Sequence, residues 1–144
     1  MMQTMPHHYT VSANSESDST VNLEADGLSA IESMPPPEFG GPEGYWSPES
    51  LLVASMADCF VLTFKAIARA SKLEWTNISC EVVGTLGQVD RVTQFTQFDL
   101  KVTVDVPSGT DSEKVERIAE KSEKGCLVSN SLTANKVLNV VVNV

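Results

Sequence analysis

The run Ser47 to Ser71, SPESLLVASMADCFVLTFKAIARAS, constrains the fold of this chain more than any other segment. Ser47 suits an N-cap, and Pro48 suits the first helical position, where its missing N–H is no loss. Glu49 then falls in the first turn, where a negative charge complements the helix dipole. No Gly or Pro follows until after Ser71. Leu51, Leu52, Met56, Cys59, Phe60, Phe64 and Ile67 cover far more than one stripe, which predicts a central, buried helix. One small sheet covers only part of such a helix, so the pattern also predicts a homodimer. The longest weakly charged stretch, Ser50 to Phe64, contains Asp58 and is too short to span a bilayer. No basic n-region or apolar h-region precedes it, so no signal peptide and no membrane partner are expected, and the expected location is cytoplasmic.

At 144 residues the chain suits one domain spanning 1–144. Residues 1–34 read as strands: HHYTVSA and STVNLEA flank the polar turn Asn14 to Asp18, and GLSAIES adds a third strand starting at Gly27. Residues 35–46 form a Pro/Gly-rich loop that is neither helix nor central strand and carries Tyr45 and Trp46 toward the helix. Such a loop is a candidate pocket wall. After the helix, alternation at Ile78, Cys80 and Val82, then at Leu100, Val102, Val104 and Val106, predicts a long antiparallel hairpin that includes Phe95 and ends at Pro107. A second helix follows, with capping-box spacing at Thr110 and Glu113 and an apolar stripe at Val115, Ile118 and Ala119, stopped by Gly125. LVSNSL reads as a short turn or helix and KVLNVVVNV as a closing strand. Residues 47–144 are thus helix, long hairpin, helix and strand, and the fold class is α+β.

Charge is divided along the chain. Residues 1–64 hold nine acids and no Lys or Arg, which accounts for the formal charge of −9, and residues 65–144 hold ten of each sign. A phosphate-tracking surface needs a basic patch, so nucleic acid is not an expected partner. The three cysteines, Cys59, Cys80 and Cys126, form no CxxC motif, and His7 and His8 are too few for a zinc site. No metal and no cofactor are expected. Cys80 falls on the apolar face of its strand and reads as core. Physics alone places Cys59 in the core more readily than in a nucleophile's role. It sits about three turns inside the helix, beyond useful reach of the dipole.

PEFGGPEGYWSPESLLVASMADCFVLTFKAIA, with CLVSNSL far downstream, resembles the OsmC/Ohr family of osmotically inducible and organic-hydroperoxide-resistance proteins. The shared features are a Pro-Glu helix start ten residues before a Cys-Phe pair, the long apolar helix, and a second cysteine in a C-x-x-S-N context. The resemblance implies the OsmC-like fold, an intertwined homodimer with antiparallel sheets wrapped around long central helices. It implies a thiol-dependent peroxidase that reduces organic or lipid hydroperoxides to alcohols. Cys59 would be the peroxidatic thiol, Cys126 the resolving thiol and Glu49 an active-site carboxylate, with an external dithiol, such as a lipoyl protein, as reductant. Tyr45, Trp46 and Phe60 would supply an apolar wall for the substrate. The chain departs from the family pattern at one point: the arginine that pairs with the glutamate comes from the N-terminal region, and here no Lys or Arg precedes Lys65. Arg91, Lys65 and Lys124 are the candidates to replace it. The alternative reading is a non-catalytic, dimeric OsmC-like protein that binds an apolar ligand or responds to redox state.

Overall fold

Two short polar turns shape the beginning of the chain. The computed structural model describes residues 2–144, which fall into two compact units, one ending at Leu51 and one running from Leu52 to Val144. In the first unit, β1 (Ser12–Asn14), β2 (Val21–Glu24) and β3 (Ile31–Ser33) form an antiparallel sheet in that order, with Ser12 opposite Glu24 and Val21 opposite Ser33. The β1–β2 turn is closed by polar side chains: Ser15 Oγ donates to the Thr20 carbonyl at 3.0 Å, and the Glu16 N–H donates to Ser19 Oγ at 3.0 Å. Gly27 belongs to the next turn, at a φ of +76° that L side chains rarely adopt, so the third strand starts at Ile31 rather than at Gly27.

The Pro/Gly-rich loop contains a single 3₁₀ turn, Pro37–Phe39, where no helix was expected. Proline is tolerated there because it occupies the first helical position, where an N–H would be unpaired anyway. Gly40 closes the turn at a φ of +84°. The loop's far end is tied back to the sheet: the Met34 N–H donates to the Trp46 carbonyl at 3.0 Å, and Trp46 bridges Ser33. Helix α1 (Pro48–Ala70) then starts as its sequence predicts. The Ser50 N–H donates to Ser47 Oγ at 3.1 Å, and the Ser47 N–H donates to Ser50 Oγ at 2.9 Å. This is a reciprocal capping box with serine in place of the usual acid or amide.

In the second unit, α1 buries one stripe, Met56, Phe60, Phe64 and Ala68, spaced by four residues. Burial on all sides, as the sequence predicts, is not what the single chain has: Leu52, Cys59 and Ile67 are half-buried and Leu62 is 59% exposed. By length and composition alone α1, which is longer than the Ser50–Phe64 run, is also long and apolar enough to cross a bilayer. Its buried stripe joins a core made with Phe98, Leu100, Val102 and Val104 from the sheet and Val115, Ile118 and Ala119 from the second helix.

That sheet begins with the predicted hairpin, β4 (Asn77–Val89) and β5 (Val92–Asp105). Asp90 and Arg91 connect the two strands with φ values of 51° and 68°, the signature of a type I′ turn. A bulge at Thr85/Leu86 sets Leu86 opposite Phe95 and Thr85 opposite Gln97. The extra residue, Thr96, resets the alternation, so Phe95 and Phe98 come to the same side and stack with centroids 5.2 Å apart. Helix α2 (Ser112–Gly125) is capped by Asp111, whose carboxylate accepts the Glu113 N–H at 3.0 Å. Thr110, the cap expected from spacing, instead donates its hydroxyl to the Pro107 carbonyl. After the four-residue helix α3 (Leu127–Asn130), β6 (Asn135–Asn143) pairs with β5 in parallel, giving a mixed sheet of order β4-β5-β6. Parallel pairing needs a crossover, and α2 with α3 supplies it.

Candidate functional site

Cys126 occupies a junction. It is at once the residue that ends α2, its N–H donating to the Glu123 carbonyl at 3.2 Å, and the residue that precedes α3. Its extended backbone (φ −71°, ψ 109°) turns the chain sharply between the two helices. The turn is held by the residues that follow. Ser129 Oγ donates to Glu123 Oε1 at 2.7 Å, and Asn130 Nδ2 donates to the Lys124 carbonyl at 2.9 Å. The first N–H groups of a helix have no partner within it. Those of Leu127 and Val128 are therefore free of helix partners, and both lie near enough to Cys59 to favour its thiolate.

Cys59 presents that sulfur from the half-buried side of α1. Thr63, one turn further on, has its hydroxyl 3.9 Å from Cys59 Sγ and 2.7 Å from the Cys59 carbonyl oxygen. The hydroxyl has one proton. While it donates to the carbonyl, its oxygen can accept from the thiol, and a thiolate draws the proton toward sulfur. The Cys126 side chain completes the set as a further neighbour that favours the Cys59 thiolate. The end of α2 lies close to α1, where a Cβ on Gly125 would make ordinary van der Waals contact with Thr63 Cγ2 at 3.6 Å.

These donors decide the ionisation of the three thiols. Burial pushes the Cys59 thiol up. The Val128 N–H, the Cys126 thiol, the Thr63 hydroxyl and the Leu127 N–H outweigh it, and the net shift is down from the ordinary 9.0. Cys126 is only 1% exposed, and burial carries its thiol up to about 11, aided by the hydrogen bond and charge of Cys59 against the N–H groups of Ser129 and Val128. Cys80 also rises to about 11, first through burial and then through the nearby charge of Cys126. Neighbouring thiols thus have opposed tendencies, and all three cysteines are free.

The other residues singled out by sequence sit elsewhere. Phe60 is a correction: it is fully buried in the core stripe, about 100° around α1 from Cys59, and has no surface to offer a ligand wall. Tyr45 and Trp46 are 45% and 50% exposed in the first unit. Glu49, in the first turn of α1, has one carboxylate oxygen, Oε1, buried without a hydrogen-bond partner. The Pro/Gly-rich loop does line a cavity, through Pro35, Pro36 and Phe39, with Met34 just before it, rather than through its two large aromatics. Leu127, Val128 and Ser129 escape a reading of residue types, because their part depends on backbone N–H groups in a helix that starts 68 residues after Cys59, whereas Thr63 acts through its hydroxyl from one turn away.

An α+β chain with a long helix, a mixed sheet and two thiols brought together beneath a short helix is an OsmC-type arrangement. Residues 40–141 match the OsmC-like protein family, and the chain belongs to that family. It is 22% identical over 143 residues to the uncharacterized protein YmaD of Bacillus subtilis, an alignment covering 96% of this chain and 95% of that protein. Among solved structures it is similar to an OsmC-like protein of unknown function from Vibrio cholerae, with a TM-score of 0.87, 20% identity, and coverage of 94% of this chain and 100% of that one. It is also similar to an organic hydroperoxide resistance protein OsmC from Legionella pneumophila, with a TM-score of 0.76, 22% identity, and coverage of 98% and 100%. These likenesses establish the OsmC-like fold.

Proposed function

We propose that this protein is a thiol-dependent peroxidase for organic hydroperoxides, acting through Cys59 and Cys126. The observation that carries the reading is the pair itself: a half-buried thiol whose ionisation is favoured by its neighbours, near a buried thiol raised to about 11. A lowered thiol supplies thiolate at neutral pH, and a raised neighbour supplies a proton. In the proposed cycle the Cys59 thiolate attacks the distal peroxide oxygen, the O–O bond breaks, and the alkoxide leaves and is protonated to the alcohol. Cys59 is then a sulfenic acid. Cys126 sulfur displaces its hydroxyl, which leaves as water with the Cys126 proton, and a disulfide forms. An external dithiol of the lipoyl type, itself oxidised to a disulfide, restores both thiols. The membership in the OsmC-like family and the likeness to hydroperoxide resistance proteins support the substrate class.

The apolar outward side of α1, with Leu62 exposed, supports a homodimer. Glu49 precedes Cys59 by ten residues on one helix, a rise of about 15 Å. It is therefore proposed as an active-site residue only between chains of that dimer. Tyr45 and Trp46 are proposed as apolar contacts for the alkyl group.

The test is thiol-dependent turnover of cumene hydroperoxide against hydrogen peroxide, for wild type beside Cys59→Ser. Turnover is expected for the organic peroxide and is lost in Cys59→Ser. Peptide mapping after one equivalent of peroxide is expected to recover a Cys59–Cys126 link, and recovery of Cys80-linked peptides alone defeats the two-thiol cycle. The absence of Lys or Arg before Lys65 favours the second reading, a non-catalytic OsmC-like binding protein. Equal inactivity of wild type and Cys59→Ser would leave that reading standing.

A further inference from the structure

Helix α3 is a single turn of four residues, Leu127–Asn130. One turn fixes several backbone dihedrals for very few hydrogen bonds, so it does not hold itself. Burial helps little at its start: Val128 packs against the core, but Leu127 is 70% exposed. Side-chain bonds back to α2 tie α3 down, and Glu123 is at their centre. Its main-chain carbonyl accepts the Cys126 N–H at 3.2 Å, and its carboxylate accepts the Ser129 hydroxyl at 2.7 Å. One residue thus grips the Cys126 turn on both sides. An O–H donated to a carboxylate is charge-assisted and among the stronger kinds of hydrogen bond. Ser129 is 2% exposed, so breaking this bond strands its hydroxyl away from water. Glu123 also differs from the other glutamates of α2: Glu113, Glu116 and Glu120 are exposed, and Glu123 is half-buried. Asn130 Nδ2 adds a second tie, to the Lys124 carbonyl at 2.9 Å, from an exposed side chain.

We propose that Glu123 is a positioning residue for the thiol site: it holds Ser129, and through Ser129 keeps the main chain of Leu127 and Val128 beside Cys59. This role rests on the reading of Cys59 as the reactive thiol, and concerns how that thiol is readied rather than which oxidant it meets. Its effect is opposite in sign to that of charge. A carboxylate near a thiol opposes the thiolate, so removing it as a charge favours ionisation. Removing it as a latch does the reverse, because the Leu127 and Val128 N–H groups that favour the Cys59 thiolate are no longer held in place.

The test is timed alkylation of Cys59 by iodoacetamide across a pH series, with backbone amide exchange measured on the same full-length proteins. Glu123→Ala and Ser129→Ala are each expected to slow Cys59 at neutral pH at least about three-fold, since the rate follows the thiolate population, and to raise the midpoint of its pH profile. The amides of α3 are expected to exchange faster while those of Leu100 and Val102 in β5 stay protected. Glu123→Gln keeps a side-chain oxygen that accepts from Ser129, and is expected not to raise the midpoint. Glu120→Ala removes an equal charge one turn away and is also expected not to raise it. A midpoint lowered or unmoved by Glu123→Ala overturns the proposal, since Glu123 then acts by charge or not at all. A midpoint raised as much by Glu120→Ala or by Glu123→Gln overturns it too. If Glu123→Ala loses protection in β5 as well, Ser129→Ala decides by the same criterion. Alkylation needs no peroxide, so the two readings are told apart. A protein without peroxidase activity whose Cys59 follows these signs sinks the peroxidase reading and leaves the positioning role standing; an active protein whose midpoint ignores Glu123 does the reverse.

Discussion

The opposed ionisation of the three thiols makes a quantitative prediction for their order of alkylation. At pH 7.5 a thiol at about 11, as for Cys80 and Cys126, is ionised to about 3 parts in 10,000, whereas one at 9.0 is ionised to about 3%. Cys59 lies below 9.0, so its thiolate population exceeds theirs by at least about 100-fold. Nucleophilicity works the other way. With a Brønsted slope of about 0.4–0.5, two pKa units make the more basic thiolates about 6–10-fold more reactive. The net expectation is that iodoacetamide modifies Cys59 at least about 10-fold faster, and the burial of Cys126 widens the gap.

The assay is timed alkylation of the native protein at pH 7.5, acid quench, and peptide mass spectrometry on all three cysteines. The Cys59 rate is also expected to rise with pH with a midpoint below pH 9. Thr63→Val removes one donor while keeping the side-chain shape, and moves that midpoint up. The 3.9 Å separation and the competing bond to the Cys59 carbonyl keep the shift from being larger. Alkylation of Cys80 or Cys126 at a rate equal to that of Cys59 would refute the assignment of donors to the Cys59 sulfur. A midpoint unmoved by Thr63→Val would remove Thr63 from the set.

Cys80 and Cys126 favour the folded state while protonated, so their contribution is full below the unfolded thiol value of 9.0 and is lost as pH rises toward about 11; urea midpoints measured across that window are expected to fall more for wild type than for Cys80→Ala. Phe60→Ala is expected to cost about 3–5 kcal/mol in chemical denaturation, as for a large core residue, and a loss under 1 kcal/mol would return Phe60 to the ligand wall. Asp111→Ala is expected to destabilise by about 0.5–2 kcal/mol through loss of the α2 cap, and a larger effect from Thr110→Ala would reverse the assignment.

Periodicity and chain punctuation carried most of the fold. Pro48 after Ser47 marked the start of α1, and the alternation around Cys80 and Val102 marked the hairpin, because caps and strand faces are local properties written in adjacent residues. What the sequence did not disclose depends on partners distant in the chain. The bulge at Thr85/Leu86 leaves only a parity change between Phe95 and Phe98, and that change acquires meaning once the opposite strand is in register. The parallel direction of β6 follows from where α2 and α3 deliver the chain, and the residues of β6 read the same either way. The candidate site divides along the same line. The resemblance named Cys59 and Cys126, and the two lie near enough for each to shift the other's ionisation. Physics at the sequence level put Cys59 nearer to inert core, since its own helix dipole starts three turns away. The relevant donors come from another helix. The N–H groups that lower Cys59 belong to Leu127 and Val128, at the start of a four-residue helix opened by Cys126 and locked by Ser129 onto Glu123. One residue thus provides a neighbouring thiol and also opens the turn that frees two N–H donors. The two roles separate chemically: Cys126→Ser preserves the turn and an O–H donor while removing the second sulfur. Such a variant is expected to keep Cys59 ahead of Cys80 in alkylation and to form no intramolecular link to position 126.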